Sequence, residues 1–196
     1  MINGLEAEMD QSLNIAMILG SIREQRFCDT VAAWAAAEVE RYFQAAPEVI
    51  DPLHLNIPGL PGGSDHSAQS YRDKLQQADA FVVVVPEYNH SYPAALKVVV
   101  DSAKAEWRAK PVGFVSYGGI SGGLRAVEHM RQVFVELHGV SVRDSVSFAS
   151  AWEQFDENGK LRKPERAESA MSRMLAQLSW WGRHLKQARQ MEPYEV

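Results

Sequence analysis

Asp79-Ala80-Phe81-Val82-Val83-Val84-Val85-Pro86 is the stretch that decides the fold. Four consecutive valines leave it without a polar face. A half-buried strand alternates apolar and polar residues, so this run predicts a strand covered on both faces, as in a parallel sheet between two helix layers. Leu13–Leu19 (LNIAMIL) is a second such run, stopped by Gly20-Ser21, and Pro111–Tyr117 (PVGFVSY) a third, stopped by Gly118-Gly119. Pro47–Leu53 and Val140–Phe148 read as two further strands. Between the strands the spacing turns helical. Phe27–Phe43 places Phe27, Val31, Trp34, Ala35, Val39 and Tyr42 on one face. Ala68–Gln77 is a polar helix, Ala94–Glu106 follows Pro93, Gly122–His138 ends at Gly139, and Glu165–Arg189 closes the chain. Asn56–Ser67, rich in Pro and Gly, is a surface loop, and Phe155–Leu161 holds a turn. Strands alternating with helices predict βαβ units. The expected architecture is one α/β domain over residues 13–190, with 1–12 as a polar leader and 191–196 as a tail.

Composition agrees with that class. A chain of 196 residues fits one domain, and 46% hydrophobic with 23% charged residues excludes a wholly disordered or fibrous protein. The net charge of −5 argues against a dedicated nucleic-acid binder. Cys28 is the single cysteine, so the chain forms no internal disulfide, and a reducing, cytoplasmic location is expected. No apolar run reaches the roughly 18 residues of a membrane span. The histidines are scattered without metal-ligand spacing.

In a doubly wound sheet, ligands sit beyond the carboxyl ends of the strands near the switch point. Three segments qualify. Gly20-Ser21-Ile22-Arg23-Glu24-Gln25-Arg26-Phe27 links a strand to a helix N-terminus, where free N–H groups, the Ser21 hydroxyl and two guanidiniums favour a phosphate monoester. The alternative is a capped helix with two solvated arginines. The segment matches neither a Walker P-loop nor a dinucleotide G-x-G-x-x-G. Pro86-Glu87-Tyr88-Asn89-His90-Ser91-Tyr92-Pro93 offers a polar turn with Tyr88 as a wall for a flat heteroaromatic ligand, or else an ordinary turn before a helix. Ser116-Tyr117-Gly118-Gly119-Ile120-Ser121-Gly122-Gly123 carries four glycines that let a backbone approach a ligand.

The three loops in this order resemble the NAD(P)H-dependent FMN reductases of flavodoxin-like fold, a family that includes quinone, chromate and azo-dye reductases. The matching residues are Gly20-Ser21-x-Arg23 with Arg26-Phe27; Pro86-Glu87-Tyr88-Asn89 with Pro93, Leu96-Lys97 and Asp101; and Tyr117-Gly118-Gly119 with Gly122-Gly123-x-Arg125-Ala126. The resemblance spans about Leu13 to Phe148. It implies a five-stranded parallel sheet in the order 2-1-3-4-5 with one FMN per subunit. It assigns the phosphate to Ser21, Arg23, Arg26 and the backbone around Phe27 and Cys28. Pro86, Glu87, Tyr88 and Asn89 would line the isoalloxazine, and Tyr117, Gly118 and Gly119 would reach its pyrimidine side. It also implies NADPH or NADH as donor, a small-molecule acceptor, ping-pong hydride transfer, and a homodimer or homotetramer. The chain departs from the family in the apolar Val98-Val99-Val100 before Asp101 and in Cys28, where relatives often carry Gly or Ser.

The chemistry rests with the cofactor, so no catalytic acid, base or nucleophile is assigned. His90 is read as a surface residue, Trp180 and Trp181 as packing on the core or a partner, and Arg125 and Arg131 as solvated helix arginines or contacts to the phosphate of NADPH. A flavodoxin-type electron carrier and a non-catalytic flavin-binding module are the competing classes.

Overall fold

The computed structural model describes residues 12–61, 63 and 68–195. The expected leader therefore lies almost wholly outside the described residues, as does part of the 56–67 loop. The strands are β1 Ile15–Leu19, β2 Glu48–Ile50, β3 Ala80–Pro86, β4 Pro111–Gly118, β5 Val140–Ser141 and β6 Val146–Ala149. The helices are α1 Cys28–Phe43, α2 Ala68–Gln77, α3 Ala94–Asp101, α4 Leu124–Glu136, α5 Ala151–Gln154 and α6 Glu165–Met191. The sheet runs in the order β2-β1-β3-β4-β5, with β6 also on β4 and every pairing parallel. This is the flavodoxin-like order, and its switch point falls between β1 and β3.

β3 explains the layers. Every residue from Ala80 to Pro86 is buried. Ala80, Val82 and Val84 point into one core, shared with Val31, Ala35 and Val39 of α1 and Met171, Met174 and Leu178 of α6. Phe81, Val83 and Val85 point into the other, shared with Leu75 of α2, Leu96 and Val99 of α3, and Met130 and Phe134 of α4. The period-2 alternation of a strand thus feeds two helix layers at once.

Several elements differ from their sequence reading; the strand expected over Pro47–Leu53 is only Glu48–Ile50, because Pro52–His54 form a 3-10 turn capped by Asp51. α3 stops at Asp101 instead of continuing to Glu106. Ser102 donates its hydroxyl to Val98 O (2.6 Å), and the Trp107 indole N–H reaches Val100 O (3.0 Å) and Ala103 O (3.1 Å). Those bonds satisfy the last carbonyls of α3 and draw Trp107 into the core between Phe81 and Phe134. The fifth strand is split into β5 and β6, which pair with successive parts of β4. Arg131 takes the intervening carbonyls of Val142 (2.6 Å) and Arg143 (2.9 Å), which interrupts the ladder. The short helix α5 has no counterpart in the sequence pattern. The 155–161 turn is present, closed by a Phe155–Leu161 bridge and by Asp156 Oδ1 accepting the Asn158 and Lys160 N–H groups. The expected tail is anchored at Tyr194, whose hydroxyl bonds His138 Nδ1 (3.1 Å).

Val83 is fully buried. Val83→Ala removes two methyl groups and leaves a small cavity, a loss of about 2 kcal/mol. A thermal melt should fall by roughly 4–8 °C, and an unchanged midpoint would contradict the two-sided burial of β3.

Candidate functional site

The carboxyl ends of β1, β3 and β4 bring the three loops together. The first begins at Gly20, whose N–H donates to Val84 O (2.8 Å). A Cβ at Gly20 would lie 2.9 Å from that oxygen, so only glycine lets the chain leave β1 so close to β3. The loop turns at Gln25 (φ 48°) and enters α1 through Phe27, which offers no capping side chain. The partial positive end of this 16-residue helix therefore has no acceptor from its own cap residue. Ser21 is buried, and its hydroxyl is 2.7 Å from that of Tyr88. Arg23 lays its guanidinium over the Tyr88 ring, 3.6 Å from the centroid. Among the described residues that guanidinium has no carboxylate partner.

Arg26 is used differently. Its side chain is only 6% exposed and donates to both carboxylate oxygens of Asp51. It also reaches Ser21 O (2.5 Å) and Asp29 Oδ1 (2.8 Å). Burial pushes the Asp51 carboxyl up, but its bonds from Arg26 and from Leu53 N–H outweigh that and hold it below the usual aspartate range. Arg26 thus faces inward and pins the loop to the end of β2. Cys28 is fully buried, and burial pushes its thiol up, so it stays protonated and is a poor nucleophile.

The second loop is a tight hairpin. Tyr88 N–H donates to Ser91 O (2.8 Å) and Ser91 N–H to Tyr88 O (3.0 Å), with Asn89 (φ 49°) and His90 (φ 74°) both in the left-handed region. That is the conformation a two-residue type I′ turn needs, and Asn tolerates it well. His129 Nδ1 bonds the Ser91 hydroxyl (2.9 Å) from α4. Glu87 turns away from this hairpin toward the third loop, where it accepts from Ser121 and Arg125.

In the third loop the four glycines have two distinct jobs. Gly122 and Gly123 adopt positive φ, and a Cβ on either would strike atoms within 2.7 Å, Ser147 Oγ and Ser116 Cβ respectively. Gly118 and Gly119 are free of such clashes, and the Gly119 carbonyl accepts from the N–H groups of Gly122 (3.1 Å) and Ser150 (2.9 Å). Ile120 and Trp152 stand exposed beside them.

The structure therefore gathers Ser21, Arg23, Tyr88, Asn89, Tyr117, Gly118 and Gly119 around the ends of β1, β3 and β4. It turns Arg26, Cys28 and the Glu87 carboxylate inward. Arg125 is paired with Glu87 (3.0 Å) and Arg131 with two carbonyls, so neither is a freely solvated arginine. Trp180 and Trp181 remain half-exposed on α6. Sequence reasoning missed Asp51 and Ser121. The strand order carries a signal for Asp51, since an acid ending the strand beside β1 must face the arginines of the β1 loop.

The family model for NADPH-dependent FMN reductases matches residues 13–153. An NAD(P)H-dependent FMN reductase of Schizosaccharomyces pombe is 40% identical over 119 residues, which cover 56% of this chain and 60% of that protein, less than two thirds of its length. A probable NADPH:quinone oxidoreductase of Oryza sativa is 34% identical over 168 residues, covering 76% of this chain and 82% of that one. Among solved structures, FerB, a flavoenzyme NAD(P)H:(acceptor) oxidoreductase from Paracoccus denitrificans, superposes with a TM-score of 0.67 at 21% identity, over 88% of this chain and 98% of that one.

Asp51→Asn leaves Arg26 without its main counter-charge in a mostly buried site, a loss on the order of 2 kcal/mol. Because the folded-state carboxyl is held low, its contribution is complete above the ordinary aspartate range and is lost as pH falls through the folded value. The gap in melting temperature between wild type and Asp51→Asn should therefore be widest near neutrality and close on acidification. A gap that widens in acid would refute the pairing.

Proposed function

This chain belongs to the NADPH-dependent FMN reductase family, and from that premise we propose that it is an FMN-dependent NAD(P)H oxidoreductase that passes electrons to a small acceptor such as a quinone, a free flavin, an azo compound or a metal ion. The observation that carries the reading is the donor set at the start of α1. A guanidinium with no carboxylate partner among the described residues and a helix N-terminus with no side-chain cap meet a buried serine, and together they suit a phosphate monoester.

The residues fit FMN in named roles. Arg23, held over Tyr88, and the N–H groups around Phe27 and Cys28 would receive the phosphate, with Ser21 beside them. Arg26 holds that loop to Asp51. Pro86, Tyr88 and Asn89 would border the isoalloxazine, and Glu87 belongs to the same border through its backbone. Tyr117, Gly118 and Gly119 would present backbone to the pyrimidine side, where an N–H favours negative charge. FMN held there would supply the redox chemistry that links the nicotinamide to the acceptor. The protein's part is to fix the phosphate, hold the ring between two loops and leave one face open. Donor and acceptor would use that face in turn, so the proposed kinetics are ping-pong and require no protein acid or base. Cytoplasmic work as a homodimer or homotetramer completes the proposal. The buried thiol suits a reducing compartment, and the exposed Ile120, Leu124 and Trp152 offer apolar surface beside the site.

The decisive experiment is anaerobic. FMN is added to the pure protein, excess is removed by gel filtration, and NADPH is mixed in while the visible flavin band is followed. Rapid bleaching, with colour returning on addition of a quinone, is the expected result. A bound flavin that ignores both nicotinamides would move the assignment to a flavodoxin-type carrier or a non-catalytic module. Initial rates with donor and acceptor varied together should give parallel double-reciprocal lines.

Arg23→Ala removes a charge-assisted partner of the phosphate. FMN affinity should drop about 10- to 100-fold while the melting temperature of the flavin-free protein hardly moves, because Arg23 has no ion-pair partner among the described residues. Equal affinity for FMN in wild type and variant, measured by quenching of flavin fluorescence, would rule out the phosphate assignment.

A further inference from the structure

We infer that Glu87 is a positioning residue: it acts on the flavin site from behind, as the carboxylate that caps α4 and fixes the Gly118–Gly123 loop. The inference rests on the FMN reading above.

The Glu87 side chain is 7% exposed. Its Oε2 accepts the Ser121 hydroxyl (2.5 Å) and the Arg125 backbone N–H (3.2 Å), and its Oε1 accepts Arg125 Nη1 (3.0 Å). Its own N–H donates to Tyr117 O (3.0 Å). One residue of the β3 loop therefore grips the β4 loop at both ends. The helix it serves needs that help. The cap residue of α4 is Gly123, which has no side chain, and the first turn of α4 contains no acid. A helix start without an acceptor leaves its N–H groups unsatisfied, and an anion there is favoured by the helix dipole. Glu87 supplies both the acceptor and the charge from another element. Burial pushes its carboxyl up, but the bonds from Ser121 and Arg125 outweigh this and hold it below the usual glutamate range.

Two consequences follow. The α4 N-terminus and Arg125 are already satisfied by Glu87, so neither competes for the phosphate assigned above to the α1 N-terminus, which has no side-chain cap. In addition, the β3 and β4 loops that border the proposed flavin ring are one mechanical unit, because the same carboxylate joins them. Gly122 is held from below as well, its carbonyl accepting from Ser116 Oγ (2.9 Å) and Ser147 Oγ (2.9 Å). Gly118 and Gly119 therefore bridge two fixed points.

The test uses the full chain with FMN titrated in, in wild type, Glu87→Gln, Glu87→Ala, Ser121→Ala and the double variant Glu87→Ala/Ser121→Ala. Flavin fluorescence reads the affinity, and amide hydrogen exchange reads residues 118–125 in the flavin-free protein. Ser121 is not assigned to the flavin, so a change there reports on the loop. Ser121→Ala should weaken FMN about 3- to 10-fold and speed exchange in 118–125 alone. Glu87→Ala should do more, and the double variant should be no weaker than Glu87→Ala, since both changes remove the same bond. Glu87→Gln keeps an acceptor for Ser121 and should lie between wild type and Glu87→Ala. If Glu87→Ala weakens FMN while Ser121→Ala changes neither affinity nor exchange, the carboxylate acts on the ligand directly and the proposal is overturned. Additive losses in the double variant overturn it too. If Glu87→Ala does not fold, Ser121→Ala and Glu87→Gln decide alone. If wild type binds no FMN, the flavin reading fails, and exchange in 118–125 still shows whether Glu87 and Ser121 hold the loop.

Discussion

Burial of β3 on both faces is the constraint from which the rest of the structure follows. Seven residues from Ala80 to Pro86 have no solvent-facing side, so a helix layer must lie above and below them. Covering both faces of a parallel strand requires crossovers that return over the sheet, and those connections are right-handed. β1 pairs with β3 on one edge and β4 on the other. The chain winds one way from β1 to β2 and the other way from β3 to β4. A crevice opens where the winding reverses, at the carboxyl ends of β1 and β3. The site therefore lies where it does because four valines cannot be left wet.

A crevice between loops is useful only if the loops hold still, and two carboxylates do that work. Asp51 secures the β1 loop through Arg26, and Glu87 secures the β4 loop through Ser121 and Arg125. Both acids come from a strand end adjacent to the loop they hold. Both are mostly buried, where an ion pair is strong only if its remaining hydrogen-bonding groups are satisfied. Each meets that condition, since Asp51 also accepts Leu53 N–H and Glu87 also accepts Arg125 N–H. The hairpin between them needs less support, because its two left-handed residues and paired backbone bonds close it locally.

The parts of this arrangement that were legible in the sequence are those governed by local pattern. The strands β1, β3 and β4 announce themselves as apolar runs ended by Gly or Pro, and α6 by its long helical spacing. The loops announce themselves by composition at the ends of those strands. What stayed hidden depends on partners distant in sequence. Arg26 and Arg23 look alike in the chain, three residues apart, yet one meets Asp51, 25 residues away, and the other meets the Tyr88 ring. Nothing local distinguishes them. The break between β5 and β6 is hidden for the same reason, since Arg131 on α4 causes it. The end of α3 is a milder case. Val98-Val99-Val100 reads as continuing helix, and it ends where the Ser102 hydroxyl takes Val98 O and the indole of Trp107 folds back onto Val100 O.

The division of labour between the two arginines also resolves a question of charge. A chain of net charge −5 is a poor host for a phosphate, and Asp29 at the start of α1 and Asp51 after β2 stand beside the β1 loop. Arg26 lies between those two carboxylates and is fully engaged by them. Without it, two unpaired acids would repel an incoming anion; with it, the inner part of the loop still carries more negative than positive charge. The attraction must come from elsewhere. On the proposed assignment Arg23 and the uncapped end of α1 supply it, one a full charge and the other about half a charge. Tyr88 completes the arrangement by stacking under Arg23, a contact that costs the guanidinium none of its N–H donors. The inward arginine holds the loop and offsets part of its negative charge, and on the proposed phosphate assignment the outward one is left to select the ligand.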